Sequence, residues 1–363
     1  MTAPEVVLDR WVRTQCRKYP GYASYVGKLD IEKVEPPSLQ SLLYFLQDAM
    51  NGALRLEDVN ASGGVEHPPF HFDYIQVSDG TKNAHAFQHG GFSFIVATLP
   101  LVELLWDLSQ RLSRSALVQE LLRIDPGTLR LDALQTLLFQ FQLSFLVSHE
   151  YTHHVHKHCG QDEDGKAGIW TEFSRNEMNG NIDSQAQELD ADGYAIYLGL
   201  THYLRGAGRQ SILAQLGRED LPQLDADELL LMCFLLALIS FFCALWPENI
   251  EMTYIGQFRH PPAPVRIEYA KRIAKMWCGQ NESAAESWLG DERFQVLFRA
   301  ALEAFGGTTR QSWDAQIAFL QSQEGTKYDQ RLSQRFDAER QKRDESAQAA
   351  GAWGNLAIIR SNH

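Results

Sequence analysis

The run Leu229–Trp246 carries no charged residue, and Ser240 is its one clearly polar side chain. A helix apolar on every side has two homes, the middle of a large globular core or a lipid bilayer, and this run is long enough for either. Its flanks, Asp225, Asp227 and Glu228 before it and Glu248 after it, lack the Lys/Arg bias that orients membrane spans. The expectation is a buried central helix, with membrane association through Leu229–Trp246 as the alternative. A core of that kind needs material. With 44% hydrophobic and 22% charged residues in a chain of 363, the material is present and global disorder is excluded. The length exceeds that of a usual single domain, so one large core with appendages is expected.

A net charge of -13 repels phosphate backbones, and no basic patch is visible to offset it, so nucleic acid is not expected as a partner. Cys16, Cys159, Cys233, Cys243 and Cys278 are odd in number, widely spaced and free of any C-x-x-C pairing, which reads as reduced thiols. Met1-Thr2-Ala3-Pro4-Glu5 opens no basic-then-apolar leader, so a cytoplasmic location is the default expectation.

Along the chain the pattern from Val6 to about Val59 is helical, broken by Pro36-Pro37. Phe72–Val77 alternates as a strand, with turn chemistry at Ser78-Asp79-Gly80, and Phe92-Ser93-Phe94-Ile95-Val96 forms a second strand. A helical pattern runs from Leu131 through Leu134, Leu138, Phe141 and Phe145 to about Gly160, another from Asp183 to about Tyr203, and helices continue past Pro264 with a break at Gly306-Gly307. The stretch Lys327–Ala350 is dense in charge and reads as a solvated helix before a frayed end. The expected fold class is mainly α with a small β-sheet (α+β). Its expected parts are a helical segment over 1–62, a core over 63–275 and a helical C-terminal region over 276–363.

The chemistry sits in His149-Glu150-Tyr151-Thr152-His153. Residues four apart on a helix share a face at ~6 Å rise, so both imidazoles can reach one tetrahedral metal, and Zn2+ suits that geometry. Glu150, beside the first ligand, is placed to act as general base toward an attacking water. A catalytic zinc needs a third protein ligand. Glu188 can supply it, and Asp192, one turn later on the same face, can accept the outward ring N–H of a ligating histidine, assigned here to His149. Taken alone, Glu188 and Asp192 also read as a solvated acidic face. His156 faces the same side of the helix but lies ~10 Å along the axis from His149, too far to share its metal, which leaves it a supporting or surface role.

These residues resemble the gluzincin zinc peptidases, and among them the group of the CAAX prenyl protease and the HtpX-like proteases. The resemblance rests on four features in order: Asn83-Ala84-His85-Ala86-Phe87 followed by Gly90-Gly91 and a strand; His149-Glu150-x-x-His153 extended to His158; Glu188-x-x-Ala191-Asp192; and His260-Pro261 followed by Arg266. Tyr151-Thr152 departs from the relatives, where a small residue often precedes the second histidine, and the long apolar run before His260 is a second departure.

The resemblance implies a zincin-like core holding one Zn2+ and a protein or peptide substrate. It also implies oxyanion roles for His260 and Arg266, although Arg266 alone reads equally as an ion-pair partner. Substrates of such enzymes lie along an edge strand, for which Phe92, Ser93, Phe94, Ile95 and Val96 are the expected residues. The resemblance further requires Glu188 and His260 in one site, which a single membrane crossing between them would prevent. The function expected is a zinc endopeptidase, with an enzyme that cleaves one host protein, similar to the Lit phage-exclusion peptidases, as a specialised version. The alternative is a catalytically inactive protein that keeps the fold and uses the groove for a protein partner.

Overall fold

The computed structural model describes residues 2–14, 24–61, 68–123, 131–156, 158, 170–171, 181–206, 208–245, 252–281, 283, 289–304 and 309–350. Helices predominate and one small mixed sheet accompanies them, an α+β fold. The chain divides into two compact units. One comprises Met1–Val102, Glu150–Ser174 and Gln334–His363, the other Glu103–His149 and Arg175–Ser333. The expected helix end at Gly160, the break at Gly306-Gly307, Cys16, Cys159 and Trp246 lie outside the described residues.

The first unit holds α1 (Pro4–Thr14), β1 (Tyr25–Lys28), α2 (Pro37–Ala61), β2 (Phe70–Val77), β3 (Ala84–His89), β4 (Phe92–Thr98) and β5 (Trp170–Thr171). The helical reading of Val6–Val59 is therefore corrected. Tyr25-Val26-Gly27-Lys28 is a strand paired antiparallel with Ile75–Val77, too short for its period of two to stand out beside the helical runs around it. The sheet order is β1-β2-β4-β3-β5, with β2 and β4 parallel and the other pairs antiparallel. β3 turns into β4 through Gly90 and Gly91, both at positive φ (58° and 84°), the backbone that a two-residue hairpin demands and that glycine adopts without strain.

Phe92–Val96 is consequently not an edge. β4 is the middle strand, and its backbone is taken by β2 on one side and β3 on the other. A strand buried at every position, as β4 is, belongs in the interior of a sheet, where no substrate strand can be added. Among the described residues the edges are β1 and β5. Helix α1 covers one face: Leu8, Trp11 and Val12 join Ile75, Phe87, Phe94 and Val96 in one apolar cluster, with Trp11 stacked on Phe87 at 4.1 Å between ring centroids. Where β1 stops short, Asn51 of α2 takes over its role. Its side chain accepts from Phe72 N (2.8 Å) and donates to Phe72 O (2.9 Å), so the exposed length of β2 keeps its backbone hydrogen bonds.

The second unit holds most of α3 (Leu99–Arg114), then α4 (Ala116–Leu121) and α5 (Leu131–Val155) as far as His149. It continues with α6 (Ile182–Leu200), α7 (Gly208–Leu216), α8 (Gln223–Leu245), α9 (Ala263–Gln280), α10 (Asp291–Ala304), α11 (Thr309–Leu320) and the start of α12 (Gln323–Ala350). The apolar run is α8. Asp225–Leu245 is long and apolar enough to cross a membrane, and 83% of its most apolar window is buried inside the protein. Its one polar interior group is matched: Gln142 of α5 donates to Ser240 Oγ (2.9 Å) and accepts from Ser109 of α3 (3.0 Å). Cys233 and Cys243 on this helix are buried free thiols, Cys278 on α9 is buried as well, and burial pushes the Cys233 thiol up to about 12.

The start of α8 is fastened by Asp227, which is 2% exposed and accepts from Arg205 (2.9 Å), Arg209 (2.8 Å) and Ser283 (3.1 Å). Asp227→Ala strips two guanidinium groups of a shared partner. Both keep some solvent access, so the expected cost is about 2–3 kcal/mol rather than the larger penalty of a sealed pair. Denaturant titration of the folded protein measures this, and a loss below about 0.5 kcal/mol contradicts it.

Candidate metal centre

Helix α5 presents the motif because its apolar positions Leu134, Leu138, Phe141 and Phe145 are all buried, which fixes the rotation of the helix about its axis. His149, Glu150 and His153 then fall on the interior side, each fully buried. Helix α6 starts sharply. Asn181 accepts from the backbone of Asp183 and Ser184 (2.9 Å each), and Ser184 Oγ accepts from Asn181 N (3.1 Å), a reciprocal cap. From that start Glu188 and Asp192 follow one turn apart, both fully buried rather than on a solvated face.

One imidazole meets both carboxylates. His149 Nε2 lies 3.2 Å from Glu188 Oε2, and His149 Nδ1 lies 3.0 Å from Asp192 Oδ1. His153 sits one helical turn beyond His149, and one ligand atom from each of His149, His153 and Glu188 lies within 4.8 Å of the others. Two neutral imidazoles and a carboxylate are the donor set of a three-ligand catalytic zinc. With ~2.0–2.1 Å bonds, two ligand atoms on a tetrahedral ion stand about 3.3 Å apart, close to the His149–Glu188 separation. The residues therefore fit the metal expected from the sequence.

A second group, His156, His158 and Asp190, meets the same spacing. His158 Nδ1, however, lies 3.0 Å from His153 Nδ1. A neutral imidazole has one lone pair, so His158 cannot accept from His153 and also bind a metal through its other nitrogen without losing its proton. That geometry makes His158 the partner that orients His153. His154, which has no part in the motif, donates from Nε2 to Phe94 O (2.9 Å).

Arg266 of α9 makes the ion pair that its sequence also allowed. Its Nε and one Nη donate to the two oxygens of Asp192 (2.8 and 2.7 Å), and its guanidinium lies 4.5 Å above the Phe242 ring centroid. The two-pronged pair is the stronger form of the contact, and it directs the charge of Arg266 to the carboxylate behind His149. Burial pushes the Asp192 carboxyl upward, but the charge of Arg266 and the hydrogen bonds from His149 and Arg266 outweigh it, so Asp192 is held below the usual carboxylate range and stays ionised. His260 does reach the centre, with Nε2 3.5 Å from Glu188 Oε2.

Three contributors escaped the sequence reading. Gly193, next to Asp192, lets α9 approach α6: a Cβ there would stand 2.9 Å from the Tyr269 hydroxyl. The signal was a glycine inside a helical pattern, which costs about 1 kcal/mol and needs a packing reason. Gln185 and Tyr328 also belong to this region, and nothing in their local sequence marks them.

Residues 129–288 match the family model described as Peptidase U49. That stretch contains α5 to α9 and every metal-centre residue named above, and it excludes β1 to β4. No curated protein and no solved structure matches the chain. The match covers less than half of the chain and makes that stretch similar to a peptidase family.

Proposed function

We propose that the chain is a gluzincin-type zinc endopeptidase with a zincin-like core, in which His149, His153 and Glu188 hold one Zn2+ and Glu150 is the general base. The observation that carries this reading is the grouping of those three buried donors beside Glu150, within the stretch that matches a peptidase family. A zinc ion held there would acidify a water molecule and polarise the peptide carbonyl.

The remaining chemistry belongs to the chain's own groups. Glu150 accepts the proton that the attacking water gives up and returns it to the amine as the C–N bond breaks. Asp192 accepts a hydrogen bond from His149 Nδ1–H, which fixes the tautomer that leaves Nε2 its lone pair for the metal. Arg266 keeps Asp192 ionised for that task. His260 is the group left to donate to the developing oxyanion. The burial of α8 favours a core role over a membrane span for Leu229–Leu245.

Metal analysis tests the reading. Purified protein is expected to carry one zinc per chain, to lose cleavage of denatured protein substrates on chelation, and to regain it with zinc. Protein that folds without stoichiometric metal and keeps its biological effect would establish the inactive, groove-binding alternative instead.

A further inference from the structure

We infer that Gln185 and Tyr328 form a clamp that positions His260, and so act on the reaction without touching its substrate. The inference rests on the zinc-peptidase reading for its kinetic test. His260 follows a short 3-10 turn, Met252–Gln257, and precedes Pro261-Pro262 at the start of α9. Such a segment has few backbone hydrogen bonds of its own to fix it. Gln185, fully buried in the first turn of α6, donates both amide hydrogens to it, one to Ile255 O (2.7 Å) and one to Phe258 O (2.6 Å). Ser184 Oγ adds a longer contact to Arg259 O (3.3 Å), the residue directly before His260.

An amide can do this only in one of its two orientations, since the flipped group would turn its oxygen on two carbonyls. Tyr328 supplies the choice: its hydroxyl, on a side chain 1% exposed, donates to Gln185 Oε1 (2.6 Å). The amide then uses its two donors and its acceptor together, a fully satisfied arrangement that a buried network needs to be rigid. Burial also pushes the Tyr328 hydroxyl well above its usual range, so it remains a donor across the working pH. Gln185 lies one turn before Glu188 on the same helix. The helix that places the third metal donor thus also sets the height of the loop that brings His260 to 3.5 Å from it.

The test uses the full zinc-loaded chain with Tyr328→Phe and Gln185→Glu, each alone and combined with His260→Ala. Tyr328→Phe removes one hydroxyl and keeps the ring. Gln185→Glu sets a carboxylate oxygen against the two carbonyls. Thermal unfolding and zinc content show that each variant is folded and loaded.

The expected result is a fall in kcat of about three- to tenfold for Tyr328→Phe and at least about tenfold for Gln185→Glu, with KM and zinc content unchanged. In the His260→Ala background neither change is expected to lower kcat further, because the group being positioned is gone. Equal losses in both backgrounds, or losses that track lost zinc, overturn the clamp. If the unaltered chain binds zinc but cleaves nothing, the function reading fails and the clamp is judged by nitrogen-15 spectra of the histidine rings. A shift of the His260 signals in Tyr328→Phe supports it, and unmoved signals overturn it.

Discussion

Glu150→Gln is expected to lower proteolysis by about a thousandfold while the protein retains its zinc and its thermal stability. The size follows from what the residue is asked to do. A positioned general base contributes roughly 10²–10⁴ in rate, and glutamine has almost the same shape without a proton-accepting oxygen. Zinc retention follows because the proposed ligands are His149, His153 and Glu188, and Glu150 is not among them. The paired measurement, single-turnover cleavage with metal content on the same sample, separates the possible failures. Loss of activity together with zinc would make Glu150 a structural support, and retained activity would move the base elsewhere.

Asp192→Ala should have the other large effect, on stability as well as on the metal. Its two oxygens take both prongs of the nearly buried Arg266, and one of them also faces His149. Removing the carboxylate takes a two-pronged counter-charge away from a buried guanidinium, at a cost of about 3–5 kcal/mol, and weakens zinc binding by roughly 10–100-fold through His149. Asp192→Asn isolates the first part, since its amide oxygen can still accept from His149 Nδ1 while the charge facing Arg266 is gone. Denaturant midpoints of the metal-free variants and zinc titration of the folded ones check the two numbers.

The pH dependence has a definite sign. Asp192 is held below its ordinary value of 3.8, so its contribution is fully present above about pH 3.8 and is lost as the pH falls through the lowered value. The stability gap between the unaltered chain and Asp192→Asn should be flat near neutrality and close in acid. A gap that widened in acid would remove Arg266 as the cause.

The helix-borne parts of the centre were legible because they depend on spacing alone. His149 and His153 share a face whenever the segment is helical, and Leu134, Leu138, Phe141 and Phe145 made it helical. The spacing of Glu188 and Asp192 was legible for the same reason. Strand order was not, because a strand's neighbours are set by tertiary pairing. Once β3 had been read as a motif and not as a strand, nothing local could show that Phe92–Val96 has partners on both sides. Arg266 shows a different limit. Its sequence fitted either an ion pair or an oxyanion role, and the distance to Asp192 on another helix decides where its charge goes. Tyr328 and Gln185 are 143 positions apart, and no pattern along the chain links them.

Helix α8 imposes an order on biosynthesis. The chain is made from its N-terminus, so the 21 residues Asp225–Leu245 leave the ribosome before α9 and α10, which pack against them. During that interval the nascent polypeptide displays a surface that membrane-targeting factors and holdase chaperones both recognise. Asp225, Asp227 and Glu228 at its leading end are the nearest charges opposing capture. Truncation anywhere between α8 and α10 should therefore yield inclusion bodies or membrane-adsorbed product, and slower translation at low temperature should favour the productive route by giving chaperones time to hold the segment until its covers arrive.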